Sequence, residues 1–213
     1  MIRLKKTDIP NSLRDHKEEW TNDLMEYVKK GESIPASIKN RYNQDDIREQ
    51  LKKETHGKCM YCESTIGRVA FEHIEHYRPK SKYPKLTFEW TNLGLSCPKC
   101  NIKKLNEFDE AYPIINPYVD NPEDYLLFLG TMVIHKPTNK RGEITETLLD
   151  LNRPELMEAR KERIDAIRNL VDKYSAETNA TLKALLRKEI IKEMAEDKPY
   201  SRCVKSVVDQ LVL

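Results

Sequence analysis

Cys59-Met60-Tyr61-Cys62, Glu75-His76-Tyr77-Arg78-Pro79-Lys80 and Cys97-Pro98-Lys99-Cys100-Asn101 decide the fold of this chain. Each Cys-x-x-Cys pair is a turn that aims two sulfurs at one point. Four thiolates suit a closed tetrahedral Zn²⁺ site, which is structural because no ligand position is left for substrate. Closing it staples together two pairs separated by 34 residues. That closure draws Asn101 towards Glu75 and His76. A carboxylate, an imidazole and an amide beside several cations suggest a second metal site, one that does chemistry. A dithiol redox centre would need one pair at the start of a helix in a βαβ unit, and there the second pair has no role. A simple zinc ribbon spaces its pairs by roughly 15–20 residues. The longer gap here holds the segment with Glu75 and His76.

Working outward, the chain has 213 residues, 38% hydrophobic and 34% charged, which fits a folded protein with a modest core and much solvated helix. No apolar run approaches the roughly 18 residues of a membrane helix. No apolar segment follows Met1-Ile2-Arg3-Leu4-Lys5-Lys6, so no signal peptide is expected. Five cysteines, four of them in two pairs, indicate metal binding in a reducing cytoplasm rather than disulfides. Cys203 reads as a buried apolar filler. The net charge is only +2, yet the window from His76 to Leu105 holds seven cations against Glu89 alone, +6 in total. The remainder therefore sums to −4. A basic window over the candidate site favours a polyanion, although a solvated lysine face would look the same by charge alone.

Periodicity places a helix over 11–30, capped by Asn11 or Ser12 and stopped by Gly31, and a second over 45–56 ending at Gly57. The alternation in 68–74 predicts a strand. Pro79 and Pro84 predict an irregular loop over 77–86. A helix is expected after Cys100, with Asn101 near its start. Beyond Pro113 the expectation is a loop, a hairpin over 125–134 broken at Gly130, and helices over 143–151, 154–174, 178–196 and 201–213. Tyr61 and Trp90 read as core. His16, His56 and His135 read as surface residues.

The run from Cys59 to Lys104 resembles the HNH endonucleases of the zinc-stapled kind. The resemblance rests on Cys59/Cys62, Glu75-His76, Asn92-Leu93 and Cys97-Pro98-Lys99-Cys100-Asn101-Ile102-Lys103-Lys104. Tyr61-Cys62-Glu63, Ile74 to Lys80 and Trp90 to Leu93 narrow it to the nuclease subunits of Septu-type anti-phage defence, a group that also serves some retron systems. Leu151-Asn152-Arg153-Pro154-Glu155-Leu156, followed by a basic helix, is similar to that group's C-terminal region. The resemblance implies a fold that is mainly α, with a small ββα-metal (HNH/His-Me) finger stapled by zinc and helical N- and C-terminal flanks. The expected regions are 1–56 (helical), 57–112 (finger), 113–152 (loop and hairpin connector) and 153–213 (helical).

By that resemblance His76 is the general base, Glu75 and Asn101 hold one Mg²⁺ or Mn²⁺, and Asn92 supports the loop carrying His76. Cleavage of DNA would leave 5′-phosphate and 3′-hydroxyl ends. The chemistry agrees: oxygen ligands suit hard cations, and imidazole titrates near neutrality. Arg78, Lys80, Lys103 and Lys104 are the candidate nucleic-acid contacts. Glu72-His73 repeats the acid-histidine pair three residues earlier. The spacing to Arg78-Pro79-Lys80 selects Glu75-His76, and His73 is read as locally hydrogen-bonded rather than a ligand. The resemblance implies DNA and an ATPase subunit as partners; no phosphate-binding G-x-x-x-x-G-K-[ST] run is present here. Apolar stripes in 153–213 would seat that subunit or a second copy of this chain as a homodimer. The alternative function is a noncatalytic zinc finger that binds nucleic acid or protein; such a finger does not require Glu75, His76 and Asn101 together.

Overall fold

The computed structural model describes residues 1–67 and 72–211. The protein is mostly helical, with two small antiparallel sheets, the class expected from the sequence. It divides into two compact units. One comprises Leu4–Met60 and Thr65–Ala111; the other comprises Met1–Arg3, Tyr61–Ser64 and Tyr112–Leu213.

The first unit contains helices α1 (Asn11–Lys30), α2 (Ala36–Lys39) and α3 (Asp45–Thr55), strands β1 (His73–His76) and β2 (Leu93–Ser96), and helix α4 (Pro98–Lys104). The strands pair with His73 opposite Ser96 and His76 opposite Leu93. The paired residues thus begin near the end of the expected strand; Arg68–Phe71 lie outside the described residues. Burial in β1 does not alternate, because Ile74, Glu75 and His76 are all buried. Ile74 joins Trp20, Leu24, Leu51, Trp90 and Leu95 in one core. The stretch expected to be an irregular loop over 77–86 contains a 3₁₀ turn at Pro84–Leu86. Proline's fixed φ and missing N–H suit a first-turn position, where no donor is needed.

Helix α1 stops at Gly31 (φ 67°), as expected. Its start differs from the expectation. Pro10 occupies the cap position and offers no side-chain hydrogen bond. Instead Asp46, in the first turn of α3, accepts from Ser12 N at 2.9 Å and from Ser12 Oγ at 2.7 Å. A carboxylate satisfies both donors at once, which a hydroxyl cap cannot. Burial pushes the Asp46 carboxyl up, but the bonds from Ser12, together with those from the backbone N–H groups of Ile47 and Asp46, outweigh it and hold the group below its ordinary range.

The second unit carries the hairpin β3 (Leu126–Leu129) and β4 (Met132–His135), then α5 (Lys140–Leu148), α6 (Pro154–Ala176), α7 (Ala180–Glu193) and α8 (Ser201–Leu211). The hairpin turns at Gly130 (φ 60°). Helix α5 begins three residues before the expected start because Asn139 caps it, its Oδ1 accepting from Gly142 N at 2.9 Å. The last two residues expected in α8 lie outside the described residues. Ile164, Ile167 and Val171 of α6 pack with Ile190, Val204 and Val208. Leu182 and Leu185 of the same apolar stripes stay exposed. His135, expected at the surface without a partner, bonds Glu146 at 2.7 Å. Cys203 is buried, and burial pushes its thiol up, as befits a filler.

Asp46→Ala should lower unfolding free energy by about 1–2 kcal/mol, the usual effect of losing a helix cap. Urea denaturation followed by circular dichroism measures it.

Candidate active site

The sulfurs of Cys59, Cys62, Cys97 and Cys100 all lie within 4.8 Å of one another. Cys59, Cys62 and Cys100 are buried and Cys97 is half-buried; none is in a disulfide. Backbone bonds shape both knuckles. Met60 N donates to Leu95 O at 2.8 Å, tying the first knuckle to β2. Cys97 caps α4, its Sγ accepting from Cys100 N at 3.5 Å. A zinc tetrahedron with arms of ~2.3 Å has edges of roughly 3.8 Å, so four thiolates this close fit the ion. Bound there, Zn²⁺ would link the segment before the hairpin to the segment after it.

Glu75 and His76 on β1 and Asn101 on α4 line one cleft of about 230 Å³, together with Tyr42, His73 and Lys80. The structure thus brings together the carboxylate, imidazole and amide singled out from sequence. His76 is 7% exposed. Its Nε2 lies 2.9 Å from Thr87 O. A carbonyl only accepts, so Nε2 carries the ring proton and Nδ1 keeps its lone pair. Burial pushes the His76 pKa down to about 3, against the bond to Thr87, with Lys80 and Lys104 adding to the fall. The imidazole is therefore neutral at physiological pH.

Asn92 is buried at the end of the 3₁₀ turn before β2. Its Oδ1 accepts from Arg78 N at 2.7 Å, and its Nδ2 donates to Arg78 O at 3.0 Å and Leu86 O at 3.1 Å. Its backbone carbonyl accepts from Tyr77 N at 2.9 Å. One side chain thereby clamps both ends of the loop that leaves β1 at His76.

The cations part company. Lys80 lines the cleft. Lys103 is exposed on α4. Arg78 lies outside the cleft lining; it pairs with Glu110 at 2.7 Å, with its guanidinium 5.0 Å from the Tyr83 ring and 4.8 Å from the Phe108 ring. Lys104, grouped with the phosphate contacts by sequence, is fully buried. Its Nζ lies 2.7 Å from Glu75 Oε1 and donates to His76 O at 2.9 Å. A carboxylate as buried as Glu75 is costly without a counter-charge, and Lys104 supplies it. Tyr42 had no signal in the sequence. It comes from the turn between α2 and α3, and its ring meets that of His76 at 84° with centroids 4.7 Å apart.

Residues 59–107 match the HNH endonuclease family. The chain is 27% identical to the Septu protein PtuB of Bacillus thuringiensis over 222 residues, an alignment covering 99% of this chain and 82% of that protein. It is 31% identical to the Septu protein PtuB of Bacillus mycoides over 202 residues, covering 80% of this chain and 66% of that protein. The chain belongs to the HNH endonucleases. A third relative, the Septu protein PtuA of Bacillus mycoides, is 24% identical over 94% of this chain and 31% of its own length. Among the described residues, this endonuclease has no helix long and apolar enough to cross a membrane.

Lys104→Met should destabilise the protein by about 3–5 kcal/mol, because it strands a buried carboxylate. Adding Glu75→Gln should recover much of that loss. Thermal melting of the two variants checks the pairing.

Proposed function

We propose that this endonuclease hydrolyses DNA phosphodiester bonds with His76 as general base, as the effector of an anti-phage system. The observation that carries the reading is the ring of His76: neutral, fixed at Nε2 by Thr87 O, and placed in the cleft that Glu75 and Asn101 share. Nδ1 takes a proton from water as the water oxygen attacks phosphorus. The bond from phosphorus to the 3′-oxygen breaks, and the leaving oxygen takes a proton from solvent water, giving a 5′-phosphate and a 3′-hydroxyl. Asn92 keeps the loop after His76 in place, so the base does not drift.

Glu75 and Asn101 would hold a Mg²⁺ or Mn²⁺ ion. Their donors are oxygens, which hard cations prefer, and few protein ligands suffice because phosphate and water complete the shell. When bound, the ion supplies charge stabilisation to the phosphate and the departing oxygen. Lys80 and Lys103, with Arg78 from outside the cleft, would contact the DNA backbone. Lys104 acts inside the protein, as the counter-charge of Glu75. Zn²⁺ on the four cysteines is structural and separate from this chemistry.

The anti-phage role is supported by the likeness to two PtuB proteins over most of the chain. An ATPase subunit, PtuA-like, would be the partner and would gate cleavage. The exposed Leu182, Leu185 and Ile191 in α7 offer apolar surface for it. The five free cysteines fit a reducing cytoplasm.

A plasmid-nicking assay with Mg²⁺ or Mn²⁺ tests the base. His76→Ala should retain its fold and lose about 10²–10⁴ in rate. His73→Ala, at an exposed position of β1, should lose far less. The opposite ranking would show that the wrong histidine was chosen.

A further inference from the structure

Tyr42 lies outside the residues that match the HNH family, yet its side chain stands in the cleft. Its turn is well held. Asn43 N donates to Asn40 O at 2.9 Å, Gln44 Nε2 donates to Arg41 O at 2.8 Å, and Arg41 pairs with Asp23 of α1. The Tyr42 ring packs on the same core as α1 and α3. Its hydroxyl is 2.7 Å from Lys80 Nζ. An ammonium only donates, so the phenol oxygen accepts.

The partner of Lys80 is unusual for this protein. The buried ammonium of Lys104 faces Glu75 at 2.7 Å, and the half-buried one of Lys6 faces Glu54 at 2.9 Å. Among the described residues Lys80 has no carboxylate within ion-pair distance; its acceptor is a neutral phenol. A lysine kept for structure gains most from an acid. A lysine held by a neutral group keeps its full charge for something else. Half-buried beside His76, that charge has one fitting ligand, an anion in the cleft. Burial draws the Lys80 pKa below its ordinary value, because the ammonium is solvated less well there than in water.

We infer that Tyr42 is a positioning residue whose hydroxyl holds the Lys80 ammonium over the cleft, where it receives a non-bridging oxygen of the phosphodiester to be cut. The inference rests on the nuclease reading above and extends it to a residue outside the matched segment. Tyr42 also braces the His76 ring, so one side chain sets both the base and the cation. Among the described residues the hydroxyl bonds Lys80 and the ring packs on His76. Tyr42→Phe separates the two roles.

The test is a double-mutant cycle on binding of the full chain to a fluorescein-labelled DNA duplex. It is read by anisotropy at low salt with no added divalent ion. Lys80→Met should weaken binding about tenfold and reduce the slope of log K against log salt by about one. Tyr42→Phe should weaken binding about threefold, as expected for one hydrogen bond to a charged group acting indirectly. The double variant should bind no more weakly than Lys80→Met, because the hydroxyl acts only through the lysine. Native affinity in Tyr42→Phe, multiplying effects in the double variant, an unchanged salt slope in Lys80→Met, or no binding by the native chain would each overturn the proposal. Cleavage by the native chain with Mg²⁺ is scored separately, so failure of the nuclease reading is distinguishable from failure of this one.

Discussion

Four sulfurs within 4.8 Å of one another constrain everything near the cleft. Strands β1 and β2 are four residues each, and a two-stranded hairpin of that size is at best marginal alone in water. Two supports hold it. One is the core from α1 and α3, on which Ile74 and Leu95 pack. The other is the cysteine cluster, which fixes where β2 runs into α4. Since Asn101 directly follows Cys100, anchoring Cys100 delivers the amide to the cleft. Structural zinc binding is coupled to folding in small domains of this kind, so the ion's affinity would be spent on placing that helix.

The cleft is electrostatically demanding. Glu75 and His76 are both buried, on consecutive residues of one strand. The protein resolves this differently for each. The imidazole loses its proton, with Thr87 O fixing the tautomer. The carboxylate is matched by Lys104, whose second bond, to His76 O, ties the cation to the strand. A neutral base and a compensated acid can sit side by side in a poorly solvated site. Two unpaired ions could not. Among the described residues lining the cleft, Lys80 carries a charge held by a neutral phenol, and the substrate of a nuclease is a polyanion.

The decisive parts of this arrangement were legible because their chemistry is rare. Two Cys-x-x-Cys pairs, an acid-histidine pair and an asparagine after the last cysteine leave few alternatives. What escaped the sequence was the direction in which ordinary residues point. Lys104 counts as a cation in any charge window, but it lies four residues after the buried Cys100 on α4, on the same helix face. That spacing was a usable signal. Tyr42 had none, because it reaches His76 only through tertiary packing. The cap of α1 was misassigned for the same reason. Local rules pointed to Asn11 or Ser12, while Asp46 arrives from another helix. Among the described residues β1 runs from His73 to His76, and the burial of Ile74, Glu75 and His76 alike departs from the alternation that suits a sheet with one wet face.

The central claim is that the cysteine cluster positions the hairpin and α4. Amide hydrogen exchange on the purified chain, before and after stoichiometric removal of zinc by a chelator, tests it most directly. One zinc per chain should be present at the start. Its removal should abolish protection at Met60, across β1 and β2, and in α4, while α6 and α8 stay protected. Full protection of the hairpin and α4 in the zinc-free protein would contradict the account.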